Sequence, residues 1–279
     1  MLPIKGIIIK NKIDADEEEY EYAEFLNEKI NLSSSVFVDK KDTIWSLNGY
    51  EFAKKHGMNE VYINALVFFK DFPDRLVGGT KEQYETALIN YGKAVASVAK
   101  EYETHGIHTV VDMFNEFVDY NAPFSERTNN WMSKLSVEDL CKIAVAVKEE
   151  MPNADLGYND WNFENPEKRK MIFEVIRKIQ GYEKENGCRI LDHIGTQCHT
   201  SINDIEGLRQ SIEELQQFGL PIDITELDIS KGLDGVDYET ATPEELAAIR
   251  KYEQKLQNDV MKMISKTFYK LRQTKDLLL

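Results

Sequence analysis

The feature that most constrains the fold of this chain is a repeated alternation of short β-branched runs with longer amphipathic stretches. Seven runs read as strands, and a helical stretch or a loop follows each one. They are Gly6–Ile9, Ile30–Val38, Val61–Phe68, Thr109–Asn115, Asp155–Tyr158, Ile190–Gln197 and Ile222–Thr225. This alternation is typical of βα units arranged around a parallel sheet.

The length of the chain agrees with one such sheet closed into a barrel. The chain has 279 residues, and one complete TIM barrel takes roughly 250. No Gly/Ser-rich or Pro-rich linker interrupts it, so residues 1–279 are predicted to form a single domain. The expected fold class is α/β, of the (β/α)8 TIM-barrel type, with seven clear βα units. The tail Asp276-Leu-Leu-Leu is barely long enough to supply an eighth strand, so an incomplete barrel is expected.

Helix signals support this reading at three places. Residues 81–104 carry apolar side chains at a helical period. Ser136 precedes another periodic run and reads as a helix start. Thr242 is predicted as an N-cap, with Pro243 at the first helical position and Glu245 at the third, opening a helix that runs to near Lys275.

Composition excludes several classes of partner and site. Asp and Glu number 49 against 34 Lys and Arg, a net charge of −15, and such a chain is a poor ligand for nucleic acid or anionic membranes. Three cysteines without CxxC spacing indicate neither a disulfide framework nor a zinc site. No apolar run approaches the ~20 residues that span a bilayer. The N-terminus lacks a signal pattern, so a cytoplasmic protein and one whose signal was removed both remain open.

Two strand-like runs end in a glutamate, at Glu116 and at Glu226. Because the carboxyl ends of barrel strands build the active site, these side chains are expected to face the same mouth. Glycoside hydrolysis needs such a pair of carboxyl groups. One glutamate alone would mean little in so acidic a chain, but Asn115 beside Glu116 adds an amide suited to a sugar hydroxyl.

Four motifs, in order along the chain, resemble glycoside hydrolase family 10, the endo-β-1,4-xylanases. The resemblance extends from the first strand to the helix after the seventh. The motifs are Val111-Asp-Met-Phe-Asn-Glu116, Tyr158-Asn-Asp-Trp-Asn162, His193-Ile-Gly-Thr-Gln-Cys-His199 and Ile224-Thr-Glu-Leu-Asp228.

The resemblance implies a retaining mechanism. Glu226 would be the ionised nucleophile, and Glu116 would be protonated at rest and act as the acid/base. Their carboxyl groups should then lie roughly 5–5.5 Å apart. No cofactor or metal is implied, because two carboxyl groups and water complete the chemistry. The implied partner is a β-1,4-linked polysaccharide or oligosaccharide.

The resemblance also assigns supporting residues. Substrate binding would fall to Lys40, Asn64, Phe68, Asn115, Gln197 and His199. His199 would in addition hydrogen-bond the nucleophile. Asn159 would organise a neighbouring loop, and Asp228 would pair with His199 or with the strand end. Among the other residues, His193 is expected in the core and Cys198 as a buried thiol.

Departures from the family pattern concentrate around the predicted second, third and eighth strands. Asn64 stands where the family has a sugar-binding histidine, and Phe68 and Phe69 replace a Trp-His pair. At the end of the predicted second strand, where the family has a further binding motif, only Lys40 matches it. The tryptophans of the family's eighth strand have no counterpart. An open barrel edge would need covering, and pairing with a second copy of the chain is one way to cover it.

Three functions therefore compete. The leading hypothesis is a retaining endo-β-1,4-xylanase that cleaves xylan through a covalent glycosyl–enzyme intermediate, with activity impaired by the departures. The second is a weakly active or non-catalytic carbohydrate-binding barrel derived from a xylanase. The third keeps the mechanism and changes the sugar, as in a retaining β-glucanase.

Overall fold

A computed structural model describes residues 6–9, 50–69 without 52 and 56, 72–73 and 76–276. The predicted strand Ile30–Val38 and the predicted binding residue Lys40 lie outside these residues. None of the helices in the described part is both long enough and apolar enough to cross a membrane.

The described strands form a parallel sheet and a short extension of it. Six strands pair in the order β1-β2-β3-β4-β5-β7, and β6 pairs with β8. Every pairing is parallel, and β1 pairs directly with β2. The bounds are Gly6–Ile9 for β1, Glu60–Ile63 for β2, His108–Asn115 for β3, Asp155–Asp160 for β4, His193–Thr196 for β5, His199–Ser201 for β6, Ile222–Ile224 for β7 and Asp228–Ser230 for β8.

Helices follow the strands as the alternation predicts. They are α1 Lys81–Glu103, α2 Val137–Glu150, α3 Pro166–Asn186, α4 Ile205–Leu215 and α5 Pro243–Asp276, with 3-10 turns at Asn130–Ser133 and Gln216–Phe218. The predicted starts at Ser136 and Thr242 are confirmed. Each of these side chains accepts from a backbone N–H three residues on, and the acidic residue there bonds back to the cap. Asp276 ends α5, so it is not part of an eighth strand.

Two apolar clusters hold these elements together. The larger one joins the sheet to α1, α2 and α3, and its fully buried members include Leu88, Val111, Leu140 and Ile176. In β3 every residue after His108 is buried. A strand buried on both faces is expected where helices cover a parallel sheet. The smaller cluster joins α4 and α5 around Cys198, Leu208, Ile212, Val260 and Ile264, and it also contacts Ile224, Leu227 and Ile229.

Two predicted strands are shorter than their sequence patterns. The run from Val61 to Phe68 leaves the ladder after Ile63 and returns only at Phe68, through a single bridge to Asn115. The run from Ile190 to Gln197 pairs only over β5. Its first two backbone N–H groups, at Ile190 and Leu191, donate instead to Glu183 Oε1 at 2.6 and 2.7 Å.

The segment between β7 and β8 is one residue longer than the segment that lies opposite it, between β5 and β6. Thr196 pairs with Ile224, and the next pair along the same two chains is His199 with Asp228. Two residues on one side, Gln197 and Cys198, therefore face three on the other, residues 225–227. This is the arrangement of a β-bulge, which bends a strand and redirects its side chains. Opposite the extra residue, Cys198 has a φ of 53° and is buried, as predicted.

Candidate active site

The carboxyl ends of neighbouring strands bring the predicted residues to one edge of the sheet. Asn64 follows β2, Glu116 follows β3, Gln197 follows β5 and Glu226 follows β7. Gln197 bonds to Glu116, and Asn64 bonds to Glu226 across the sheet. The parallel order thus gathers residues that are far apart in the sequence.

The backbone at Glu116 is held in a conformation that residues other than glycine seldom adopt. Its φ is 55°, in the left-handed region. Its N–H donates to the carbonyl of Asn159 at 2.8 Å, and its carbonyl accepts from Arg127 Nε at 2.7 Å. Strained conformations of this kind persist where neighbours fix them, and they are often found at functional sites.

Both oxygens of the Glu116 carboxyl have a donor. Gln197 Nε2 lies 3.0 Å from Oε1, and the Tyr120 hydroxyl lies 2.5 Å from Oε2. The residue is only 7% exposed. This carboxyl therefore has a fixed orientation before any ligand binds.

Aromatic rings and a cation pack around the Tyr120 ring, whose hydroxyl contacts this carboxyl. The Arg127 guanidinium lies 3.8 Å from the ring centre of Phe69 and 4.3 Å from that of Tyr120. Tyr120 also packs edge-on against Phe69 and Trp161, with ring centres 5.4 Å apart in each pair. Phe69, where the family pattern has a polar residue, thus packs against the side chains that contact Glu116.

Glu226 has a different set of partners. Asn64 Nδ2 donates to Oε1 at 2.7 Å, and His199 Nε2 lies 3.2 Å from Oε2. His199 Nδ1 lies 2.5 Å from Asp228 Oδ2. The hydrogen bond to Glu226 raises the pKa of His199, burial opposes this, and Asp228 raises the pKa further. A protonated imidazole can donate to both carboxylates at once.

Below the two glutamates lies a buried polar network. Asp112 accepts from the Tyr62 hydroxyl at 2.7 Å and from Asn159 Nδ2 at 2.9 Å, and Asn159 Oδ1 accepts from Thr225 at 3.0 Å. His193, in the core as predicted, lies 3.2 Å from the Tyr62 hydroxyl. Burial raises the pKa of Asp112 to about 8. The side chain of Asn159, for which the organisation of a neighbouring loop was expected, therefore bonds within this buried network.

Several predicted substrate contacts take up different partners. Asn115 is 1% exposed and accepts from Gln197 Nε2 at 3.4 Å, and Gln197 is itself 2% exposed. Both amides thus bond within the protein, whereas direct sugar contacts were expected. Asn64 contacts the predicted nucleophile. Phe68 is partly buried and packs edge-on against Phe69.

Tyr120 and Arg127 were not predicted from the sequence. Tyr120 lies in the segment after β3, and Arg127 lies seven residues further on. This segment has no strand or helix periodicity from which the direction of either side chain could be predicted. Only the path of this segment brings both back to Glu116. Among the residues that the structure describes, no three His, Cys, Asp or Glu side chains are arranged to hold a metal ion.

The chain is similar in sequence to curated xylanases. Endo-1,4-beta-xylanase A of Thermotoga neapolitana is 32% identical over 213 residues, which cover 69% of this chain and 18% of that protein. Beta-1,4-xylanase of Dictyoglomus thermophilum is 30% identical over 182 residues, which cover 64% of this chain and 49% of that protein. The chain thus matches about a fifth to a half of the length of these relatives.

Solved structures share the fold. Xylanase XynB of Paenibacillus barcinonensis, complexed with a conduramine derivative, is 25% identical with a TM-score of 0.64, covering 81% of this chain and 66% of that one. Xylanase 10B of Thermotoga petrophila, in complex with xylobiose, is 24% identical with a TM-score of 0.67, covering 94% and 76%. The predicted (β/α)8 TIM-barrel type is confirmed, with the sheet seen here as an incomplete barrel.

The sequence profile described as Glycosyl hydrolase family 10 matches residues 45–278. That range includes both strand-end glutamates and all four motifs. The chain belongs to glycosyl hydrolase family 10.

Proposed function

We propose that this chain is a retaining endo-β-1,4-xylanase in which Glu116 is the general acid/base and Glu226 the nucleophile. The observation that carries the proposal is that the two carboxyl groups have separate donors. Glu226 bonds to Asn64 and to a histidine whose pKa is raised, and Glu116 bonds to Gln197 and Tyr120. We also propose that residues 1–279 form one catalytic domain.

The proposed chemistry has two steps. In the first, Glu226 attacks the anomeric carbon while Glu116 gives its proton to the glycosidic oxygen, so the bond to the leaving sugar breaks. In the second, Glu116 takes a proton from water, and the resulting hydroxide displaces Glu226 from the sugar. His199 stabilises the Glu226 carboxylate before attack and after release.

Xylan is the proposed substrate because the matched relatives are named xylanases. The proposal favours catalysis over binding alone, because both glutamates and the side chains that hold them in place are present at the strand ends. The amides of Asn115 and Gln197 are buried, and Gln197 donates to Glu116 and to Asn115. We therefore assign both amides to the positioning of Glu116. Sugar contacts then fall to the more exposed side chains, such as His199 and Phe68.

The test replaces each glutamate by alanine and adds sodium azide. Glu226→Ala should abolish hydrolysis of aryl β-xylobiosides, and azide should restore turnover with an α-xylobiosyl azide as product. Glu116→Ala should lose about 10²–10⁴ in rate on substrates with a poor leaving group. Azide should then give the β-azide from an activated substrate, because the anion intercepts the glycosyl–enzyme. Glu213→Ala, on the exposed face of α4, is the matched control and should be unchanged.

Two results would contradict the proposed catalysis, and a third would change only the proposed sugar. If calorimetry shows that xylo-oligosaccharides bind to a wild-type chain that does not cleave them, the chain is a carbohydrate-binding barrel. If the products of both azide reactions have the same anomeric configuration, the two glutamates do not have these roles. A faster rate on carboxymethylcellulose than on xylan would keep the mechanism and change the sugar.

A further inference from the structure

We propose that Tyr120 is a positioning residue for the general acid, and that it promotes cleavage of substrates whose leaving group needs a proton. The inference rests on the function proposed above. It concerns a residue outside the four motifs, and it begins from the 2.5 Å hydrogen bond between the Tyr120 hydroxyl and Glu116 Oε2.

The hydroxyl completes the set of contacts that fixes the carboxyl. Gln197 Nε2 donates to the other oxygen at 3.0 Å, so the two donors together set the plane of the group. A general acid must hold its proton within hydrogen-bond reach of the leaving oxygen. A carboxyl that is held at one oxygen only can still rotate about its final bond.

The tyrosine ring is itself fixed in place. Phe69 and Trp161 pack edge-on against it, each with ring centres 5.4 Å away, and the Arg127 guanidinium lies 4.3 Å from its centre. Arg127 Nε also donates to the carbonyl of Glu116. One arginine therefore ties the backbone of the glutamate to the ring that holds its carboxyl.

The hydroxyl keeps its own proton through the reaction. Burial, the hydrogen bond to Glu116 and the charge of that carboxylate all raise the pKa of Tyr120 above its ordinary range. A neutral hydroxyl can donate to the ionised carboxyl or accept from the protonated one. Its donation stabilises the carboxylate that forms when Glu116 releases its proton to the leaving group, so its effect should grow with the demand for that proton.

The experiment measures kcat/KM of Tyr120→Phe on aryl β-xylobiosides with leaving groups of different acidity. Phenylalanine keeps the ring and removes only the hydroxyl. We expect about a tenfold loss with phenol as the leaving group, the factor for one ordinary hydrogen bond. With 2,4-dinitrophenol, which leaves without a proton, the rate should stay within about twofold of wild type. The basic limb of the pH profile should move to higher pH.

Tyr252→Phe is the matched control, since it removes the same hydroxyl from an exposed position on α5 and should leave both rates unchanged. Replacement of Tyr120 by 3,5-difluorotyrosine, a stronger donor, should move the basic limb to lower pH. This second substitution decides the matter if the phenylalanine variant does not fold.

The outcomes separate the two proposals. Equal losses with both leaving groups, or no loss with either, would overturn the role of Tyr120 while leaving the glutamates in place. Absence of turnover by the wild-type chain would instead contradict the proposed function. A loss confined to the poor leaving group, with the shifted pH limb, would establish the positioning role.

Discussion

The two glutamates lie at the same edge of the sheet, yet their surroundings are of opposite kinds. Glu116 is held by uncharged donors, an amide and a phenol, and its backbone is fixed on both sides. Glu226 bonds to an amide and to a histidine whose own partner, Asp228, is 63% exposed on its side chain. A phenol can serve either protonation state of a carboxyl, whereas a cation favours only the ionised one. This difference suits the roles proposed for them, in which Glu116 exchanges a proton and Glu226 stays charged until it attacks.

Among the substitutions considered for the two surroundings, replacement of Arg127 on the Glu116 side should lower the free energy of unfolding most. Arg127→Met removes the donor to the Glu116 carbonyl and the cation between Phe69 and Tyr120. Because the side chain is only 7% exposed, we expect the free energy of unfolding to fall by about 3 kcal/mol. Urea denaturation measures this change.

Arg209→Met is the control for that substitution. Arg209 lies on the surface of α4, where it pairs with Glu206 and Glu213, and exposed pairs of this kind stabilise little. Its unfolding midpoint should stay close to that of the wild type. If the two variants unfold alike, the backbone of Glu116 does not depend on Arg127.

Asn64→Ala should have a smaller effect, which falls on the other glutamate. The substitution removes the 2.7 Å hydrogen bond to Glu226 Oε1. A bond to a charged group is commonly worth about tenfold or more in rate, so kcat/KM should fall about tenfold. In contrast to Tyr120→Phe, the loss should be the same for good and poor leaving groups, since the proposed nucleophile acts on both.

Asn203→Ala serves as its control, because that exposed side chain bonds to the carbonyl of Gly232 away from Glu226. An unchanged rate for Asn64→Ala would show that His199 alone suffices to hold the Glu226 carboxylate. A loss that follows the acidity of the leaving group would place Asn64 with the general acid instead.

The smallest effect is expected from Asp228→Asn, and it depends on pH. The pKa of His199 is raised in the folded chain, chiefly by Glu226 and also by Asp228. The stabilisation from a protonated His199 is therefore complete below the ordinary imidazole pKa of about 6.5, and it is lost as the pH rises through the raised value. Removing Asp228 lowers that value, so the stabilisation should be smaller and its loss should be complete at a lower pH.

Because Asp228 is mostly exposed, the difference in unfolding free energy should be less than about 1 kcal/mol. It should be present near pH 6 and disappear at alkaline pH, as followed by urea denaturation at a series of pH values. Asp234→Asn, also exposed, should show no such dependence. A difference that grows with pH would contradict the assignment of charge to His199.

Much of this arrangement could be predicted because it follows from periodic patterns. Apolar runs gave the strands, and cap residues such as Ser136 and Thr242 gave the helix starts. The strand ends then placed Glu116 and Glu226 at one edge, since parallel strands share their direction.

What could not be predicted depends on irregular backbone. β6 and β8 are three residues each, too short to show an alternation. Glu116 and Cys198 are two of the four described residues other than glycine with a left-handed backbone, which the sequence does not indicate at these positions. The contact of Arg127 with Phe69 joins two loops that are distant in the sequence, and only the folded chain brings them together.

The extra residue between β7 and β8 has a consequence for how this segment can change in length. Ile224 and Leu227 both contact the apolar cluster of α4 and α5, although an odd spacing in an unbroken strand would put them on opposite faces. Deleting or inserting one residue at 225–227 would therefore turn either Leu227 away from the apolar cluster or Glu226 away from the candidate active site. Insertions and deletions should therefore be tolerated in the exposed loop beyond Ser230 but not at residues 225–227. There, a change of one residue cannot keep both the apolar contacts and the direction of Glu226.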